Sequence, residues 1–400
     1  MTEITLPTLK LNGEELQILN LIAEGGMGLT LGITFKKNPT NYPLIIGKLY
    51  KKYPDWVEKN LKNYEILCKN NLTPKLLGIQ TALSKYNYYC KTKHKKDYKV
   101  CEYDNHIHYY EIAGVCTLKQ FVGLSSLVNY SNYLIIKEYI DITVEKAKLL
   151  TKLDIIHLDL HSGNIMIYNK NTLYLFDKFI MYNQMKDSDK FDQKQKDAFT
   201  KLMVDFLLNK NSIKGNTNKD LNKSSGKLKL SYDNKMDITI IDCDRIKNIK
   251  EIIRTYAAKY DTNDKEVNKI FELLYYSLIY MNVIKFLKSF IRHMNQFYEE
   301  NNNDKLMYLI KYCEKLLDKY CKEMYAKSEI YRETKNNNLN FILHGLIFYG
   351  MFFIETQEHF DIFYEFIKNK KYIDYYKSDK NYKKLVYHTK RFIKELLHIE

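Results

Sequence analysis

The chain of 400 residues is predicted to be an α+β protein, with a small, largely antiparallel sheet near its N-terminus and a mainly helical remainder. Three observations predict this. β-Branched and aromatic runs separated by turn residues crowd residues 15–125. All five prolines fall at or before Pro74, so the strongest helix breaker is missing from the rest of the chain. From about residue 262 onward the sequence reads as helix.

The elements follow in order. Gln17–Ile22, Thr30–Phe35 and Leu44–Tyr50 read as strands. A helix over Asp55–Asn70 interrupts the sheet, which resumes at Tyr98–Glu102 and His106–Ile112. Residues 131–153 place Leu134, Ile135, Ile142, Leu149, Leu150 and Leu153 near a 3.6-residue period, which predicts an amphipathic helix. Residues 187–208 do the same with Phe191, Phe199, Leu202, Met203, Phe206 and Leu207. Between that helix and the next apolar run, Asn209–Lys227 is polar and low in complexity and reads as a mobile loop.

Composition narrows the function classes. The formal charge of +15 suits acidic partners such as a nucleotide, an acidic protein or anionic lipid, and equally a lysine-rich solvated surface. Seven cysteines are dispersed, odd in number and without a C-x-x-C pair, so reduced thiols in an intracellular, cytoplasm-like compartment are expected rather than a disulfide scaffold. Cys90, Cys101, His106 and His108 match no compact zinc spacing. Met1–Pro7 lacks a basic-then-apolar signal pattern. The longest apolar run, Phe341–Ile354, is too short to span a bilayer and contains His344, so no transmembrane segment is expected. No specific nucleic-acid site is evident. The lysine-, asparagine- and tyrosine-rich composition is associated with viral or AT-rich microbial sources.

The most informative stretch is His157-Leu-Asp-Leu-His-Ser-Gly-Asn164, which reads H-x-D-x(4)-N between apolar runs. A phosphoryl-transfer site needs a carboxylate near the acceptor hydroxyl and an amide oxygen on a metal ion a few residues later. Asp159 and Asn164 have that spacing. Whether it is more than coincidence depends on the rest of the chain.

Upstream, Ala23-Glu-Gly-Gly-Met-Gly-Leu-Thr30 joins two predicted strands, and its Gly25, Gly26 and Gly28 would let backbone N–H groups approach a phosphate, or simply turn a hairpin. Lys48, in Ile45-Ile-Gly-Lys-Leu-Tyr50, is a charge in an apolar strand: either a solvent-facing edge lysine or a buried cation that requires a carboxylate. The following helix offers Glu58 and Glu65 on one face, of which Glu65 is preferred by its distance to Pro74. At His108–Phe121 an apolar strand gives way to a small-residue linker and a helix start at Thr117. Asp237-Ile-Thr-Ile-Ile-Asp-Cys-Asp-Arg245 is an apolar strand ending in two carboxylates, Asp242 and Asp244. Asp244 reads as a supporting residue or as a partner of Arg245. A rival to Asp242 is Asp177, thirteen residues after Asn164, but ITIIDCD has the stronger buried-strand pattern.

A glycine loop, a strand lysine, a helix glutamate, a linker, H-x-D-x(4)-N and a strand-end Asp, in that order, resemble the protein-kinase-like superfamily over roughly residues 18–250. D-L-H-x-G-N is similar to haspin-type protein kinases and to aminoglycoside- and choline-kinase-like enzymes; Ile-Ile-Asp-Cys-Asp looks like the endings of haspin and poxvirus-type Ser/Thr kinases. The resemblance implies a bilobal fold: a sheet-rich lobe with one helix at 15–115, and a helical lobe at 116–400. The second lobe would carry an insertion at about 170–236 and a divergent helical region at about 262–400.

The resemblance also implies cofactors and roles. ATP would be held by Gly25, Gly26, Gly28 and Lys48, with Glu65 pairing Lys48. Backbone groups around Glu111 and Ala113 would bind adenine, with Tyr110 behind the purine. Asn164 and Asp242 would ligate Mg2+, and Asp159 would accept the acceptor proton from a protein substrate, an acidic one on charge grounds. His157 would pack beneath the loop.

Departures matter too. Leu158 stands where such kinases carry an arginine, and His161 where they carry a lysine that stabilises the γ-phosphate. No proline follows Pro74, so an A-P-E motif is impossible, and the last 130 or so residues match no kinase subdomain. The reading is an atypical Ser/Thr protein kinase. Alternatives are a small-molecule kinase of the aminoglycoside or choline type, and an inactive scaffold.

Overall fold

The computed structural model describes residues 9–24, 28–40, 43–50, 55–81, 86–91, 98–103, 106–125, 131–168, 178–180, 192–207, 237–261, 263–301, 304–354, 356–378, 391, 393–395 and 397–398. The protein is α+β, with an antiparallel sheet toward the N-terminus and helices dominating toward the C-terminus. Two compact units are present: Met1–Ile142 with Gly163–Asp244, and Thr143–Ser162 with Arg245–Glu400.

The first unit begins with β1 (Leu9–Leu11), which returns through Asn12 and Gly13 into β2 (Glu14–Glu24). Both turn residues have positive φ, 52° and 83°, the demand that an Asn-Gly pair meets in a two-residue hairpin. β3 (Gly28–Phe35), β4 (Ile45–Tyr50), α1 (Asp55–Lys69) and β5 (Leu76–Gln80) follow. Among the described residues the next two strands, β6 (Tyr86–Lys91) and β7 (Tyr98–Tyr103), pair with each other and not with the main sheet, so the run expected to resume that sheet forms a separate antiparallel pair. β8 (Ile107–Tyr110) completes a six-stranded sheet of order β1-β2-β3-β4-β8-β5. Its edges are tied together: the Lys10 backbone N–H donates to the Gln80 side chain at 2.9 Å, and the same oxygen accepts from Tyr109. Ile33, Leu44, Ile45, Ile107 and Tyr109 fill the core of this sheet.

The linker after β8 leads into β9 (Cys116–Thr117), α2 (Leu118–Ser125) and α3 (Ser131–Lys152), the last of which runs from the first unit into the second. β10 (Ile155–His157) belongs to the second unit, and β11 (Ile165–Tyr168) returns to the first. α4 (Gln193–Leu207) lies within the helix expected at 187–208, and Asn209–Lys227 falls outside the described residues. β12 (Asp237–Ile240) pairs antiparallel with β11, which also pairs with β9. The unit boundaries therefore run through the segment 116–400, because this three-stranded sheet keeps 163–244 with the N-terminal unit.

In the second unit β13 (Ile246–Asn248) pairs with β10, and α5 (Ile249–Ala257) starts at an Asn248 cap that accepts from Glu251 N–H. Among the described residues the helices that follow include α6 (Lys265–Asn301), α7 (Asp304–Lys327), α8 (Glu329–Thr334), α9 (Asn337–Phe353), α10 (Gln357–Lys368) and α11 (Lys371–Ser378). By length and hydropathy α6 alone, among the described residues, meets the requirement of a membrane span. Yet 67% of its apolar window is buried within the protein, as expected of a core helix. Phe286, Leu287, Phe290 and Met294 are fully buried, and Ser277 bonds Tyr331 at 2.5 Å.

Candidate active site

In the first unit, the β11–β12 register decides which distant residues meet. Ile165 lies opposite Ile240, and one step further the Ile241 N–H donates to the Asn164 carbonyl at 2.9 Å. Asn164 is thereby buried beside the end of β12, and the next residue, Asp242, leaves the strand with φ +57°. A non-glycine residue in this left-handed region is uncommon and is found where the surroundings force it. Here the conformation lets Asp242 and Asp244 both reach one cation. Lys48 Nζ stands 2.9 Å from Asp242 Oδ1 and also bonds Asp244 Oδ2.

Lys48 comes from β4, opposite Thr30 on one side and His108 on the other. Its side chain is 18% exposed and Asp244 is 12% exposed, whereas Asp242 is 44% exposed. Burial pushes the Lys48 ammonium toward its neutral form, but Asp244 and Asp242 outweigh it and hold its pKa above the usual lysine range. Burial likewise pushes the Asp244 carboxyl above its ordinary range, with Lys48 pulling against it. Tyr50 donates its hydroxyl to Asp244 at 3.2 Å, and Lys48 Nζ lies 5.2 Å from the Tyr50 ring centroid. Behind them His108 bonds Tyr110 at 3.0 Å, its pKa lowered to about 4 by burial, by Lys48 and by His106. Tyr110 thus faces this polar cluster.

α1 contributes differently from expectation. Asn60, Tyr64 and Leu67 lie on its inward face: Asn60 Nδ2 donates to the Asp244 carbonyl at 3.4 Å, Tyr64 OH donates to Pro74, and Leu67 is fully buried. Glu65 is one step from Tyr64, on the exposed side, and Lys48 takes its carboxylates from Asp242 and Asp244. Likewise Asp244 pairs with Lys48 and Tyr50 rather than Arg245, whose guanidinium lies 5.2 Å over the Phe352 ring. The sequence does not announce the contacts of Asp244 and Tyr50 around Lys48, or that of Asn60 with the Asp244 carbonyl. Its signals are a charge in the apolar strand at Lys48 and a second carboxylate two residues after Asp242.

Gly25, Gly26 and Asp177 lie outside the described residues. Gly28 is buried at the start of β3, where an added Cβ would collide with the Leu49 carbonyl, so a close strand approach already requires glycine there. In the linker, Glu111 N–H donates to the Lys75 carbonyl at 3.0 Å and Val115 N–H to Ile167 at 2.8 Å. Among the described residues, the Glu111 carbonyl and both backbone groups of Ala113 take no backbone partner. Burial raises the Glu111 carboxyl, with Lys75 pulling it down.

The second unit holds Asp159. His157, buried, accepts the Asp159 backbone N–H on Nδ1 at 3.1 Å, so this ring supports the loop backbone. Asp159 is 36% exposed; Lys285 Nζ lies 3.8 Å from its Oδ1 and His161 Nε2 3.8 Å from its Oδ2. Asn282 on α6 accepts from His157 N–H at 3.0 Å and donates to the Ile155 carbonyl at 2.9 Å, while Ser162 bonds His293 at 2.6 Å.

Among the described residues no group of three or more His, Cys, Asp or Glu side chains is placed to hold a metal ion alone. Mg2+ asks for less: one or two carboxylates, with phosphate oxygens and water completing an octahedron. The Asp242–Asp244 pair, adjoining Asn164, fits that oxygen-donor demand. A scan against protein-family models gave no match, and no curated protein matched the chain in sequence.

Proposed function

We propose that this protein is an ATP-dependent phosphotransferase with a bilobal, protein-kinase-like fold that transfers the γ-phosphate to Ser or Thr hydroxyls of a protein. One observation carries the reading. Lys48, Asn164 and Asp242, far apart in the chain, converge at the end of β12 through the β11–β12 register and the 2.9 Å ion pair.

In this reading Lys48 binds the α- and β-phosphates, and the backbone of Glu111 and Ala113 binds adenine. Asp242 and Asn164, with Asp244 in support, would hold Mg2+, which when bound neutralises phosphate charge. Lys48 would exchange part of its carboxylate pairing for phosphate oxygens, at little electrostatic cost because both are anionic. Tyr50 and Asn60 keep Asp244 in place during that exchange. Asp159 orients the acceptor hydroxyl and takes its proton as the phosphoryl group moves, with His157 holding the loop backbone.

The test is phosphate transfer from labelled ATP with Mg2+ to the chain itself and to an acidic and a basic protein, comparing the unsubstituted chain with Asp159→Asn, Asp242→Asn and Asp177→Asn. Loss of label in the first two alone supports the reading. Loss with Asp177→Asn but not Asp242→Asn would move the metal site to Asp177. Transfer only to small alcohols would make it a small-molecule kinase, and nucleotide binding without any transfer a scaffold.

A further inference from the structure

The segment His157–Asn164 contains no lysine or arginine, so nothing basic beyond its histidines stands beside Asp159 from the loop itself. The fold brings one from more than a hundred residues away. Lys285 on α6 donates to the Leu158 carbonyl and sits 3.8 Å from Asp159 Oδ1. Its ammonium also lies 4.2 Å from the Phe348 ring centroid and 5.8 Å from that of Phe352, both on α9. It is 19% exposed, held by a carbonyl, an aromatic face and the aspartate.

α6 is built to keep it there. Asn282, three residues earlier and so on the same face, clamps both ends of β10 through His157 N–H and the Ile155 carbonyl. Ile279, three earlier again, accepts from Thr151 at 2.8 Å. The helix thus grips the strand entering the Asp159 loop, and Lys285 is the next contact along that grip. The strand that enters the Asp159 loop and the cation beside Asp159 are thus held by the same helix.

We propose that Lys285 is the positioning residue of Asp159: it fixes the Asp159 carboxylate through Oδ1 and supplies the fixed positive charge that the loop sequence lacks. The inference rests on the phosphotransferase reading. Transfer chemistry depends on a proton acceptor held within a fraction of an ångström, and on fixed charge where negative charge accumulates. Both would come from a helix outside the family-like part of the chain. That gives the C-terminal region a role at the reaction centre rather than only as a support.

The experiment is steady-state phosphate transfer by the unsubstituted full chain, Lys285→Met and Lys285→Arg, with thermal melting of each. Methionine keeps the stem against Phe348 and removes the charge. For Lys285→Met the expected result is kcat lower by about 100-fold with KM for ATP within about twofold, as for a mispositioned catalytic group. Lys285→Arg should recover at least about a tenth of the lost rate, since it restores the cation. Lys285→Met with kcat within about threefold of the original would overturn the inference alone. So would an arginine variant as slow as methionine while melting like the original chain. No transfer by the unsubstituted chain would defeat the phosphotransferase reading and this inference with it.

Discussion

Lys48 Nζ and Asp242 Oδ1 stand 2.9 Å apart, across a sequence separation of 194 residues. The pair links β4 to the end of β12, and Asp244, two residues on, closes on the same nitrogen. Lys48 is therefore a structural cation as well as the residue proposed to grip phosphate.

That dual role sets the first prediction. Lys48→Met leaves the Asp244 carboxylate buried without its cation, which should cost about 3 kcal/mol of unfolding free energy in urea titration. Adding Asp244→Asn should return most of that loss, because the unpaired charge is gone. A single Lys48→Met variant as stable as the original chain would show that the cluster contributes nothing to folding. Nucleotide binding should fail in both variants.

His108 sets the second. Its folded pKa, about 4, lies below the ordinary 6.5, because burial, Lys48 and His106 all disfavour the imidazolium. A depressed pKa means that the unfolded chain binds the proton more tightly. The stabilisation is complete above pH 6.5 and is lost as pH falls toward 4, by about 3 kcal/mol in total. His344, buried and lowered to about 3, acts in the same direction. Stability measured from pH 7 to 4 should therefore fall less steeply in His108→Phe than in the unsubstituted chain; equal slopes would rule His108 out as the cause.

Lys288 sets the third. Burial lowers its pKa to about 8 from 10.5, with Cys321 opposing, and its ammonium lies 3.5 Å from the Phe341 ring centroid. The folded form binds this proton less tightly than the unfolded chain. Stability from this group is present above pH 10.5 and has gone by pH 8, so the whole deficit applies at pH 7. Lys288→Met should raise unfolding free energy at pH 7 by about 1–3 kcal/mol, allowing for the lost aromatic contact. Unchanged or lower stability at pH 7 would refute it.

Much of the architecture was legible because it is local. The helix at 131–153 and the apolar strand at 45–50 are written in neighbouring residues, and α3 and β4 lie there; but the buried face of α3 is Ile136, Tyr139, Ile140, Val144, Ala147 and Leu150, and Leu134 of the expected apolar stripe is exposed. The three residues of β1 carry too little alternation to mark a strand, and β5 is a five-residue run broken by Gly78. The run at 98–102, expected in the main sheet, pairs instead with β6, because propensity marks a strand without naming its partner.

At the site the same divide holds. Sequence by itself determined most of the longer elements, the chain order of Lys48, Asp159, Asn164 and Asp242, and an apolar strand ahead of Asp242. Tertiary structure alone decided what those residues touch. Asp244 and Tyr50 gather at Lys48, Asn60 holds the Asp244 carbonyl, Glu65 turns to solvent, and Lys285 arrives beside Asp159 from α6. The physical reason is that strand and helix patterns arise between residues a few positions apart, whereas an ion pair across 194 residues depends on register and packing. No short stretch of sequence encodes either.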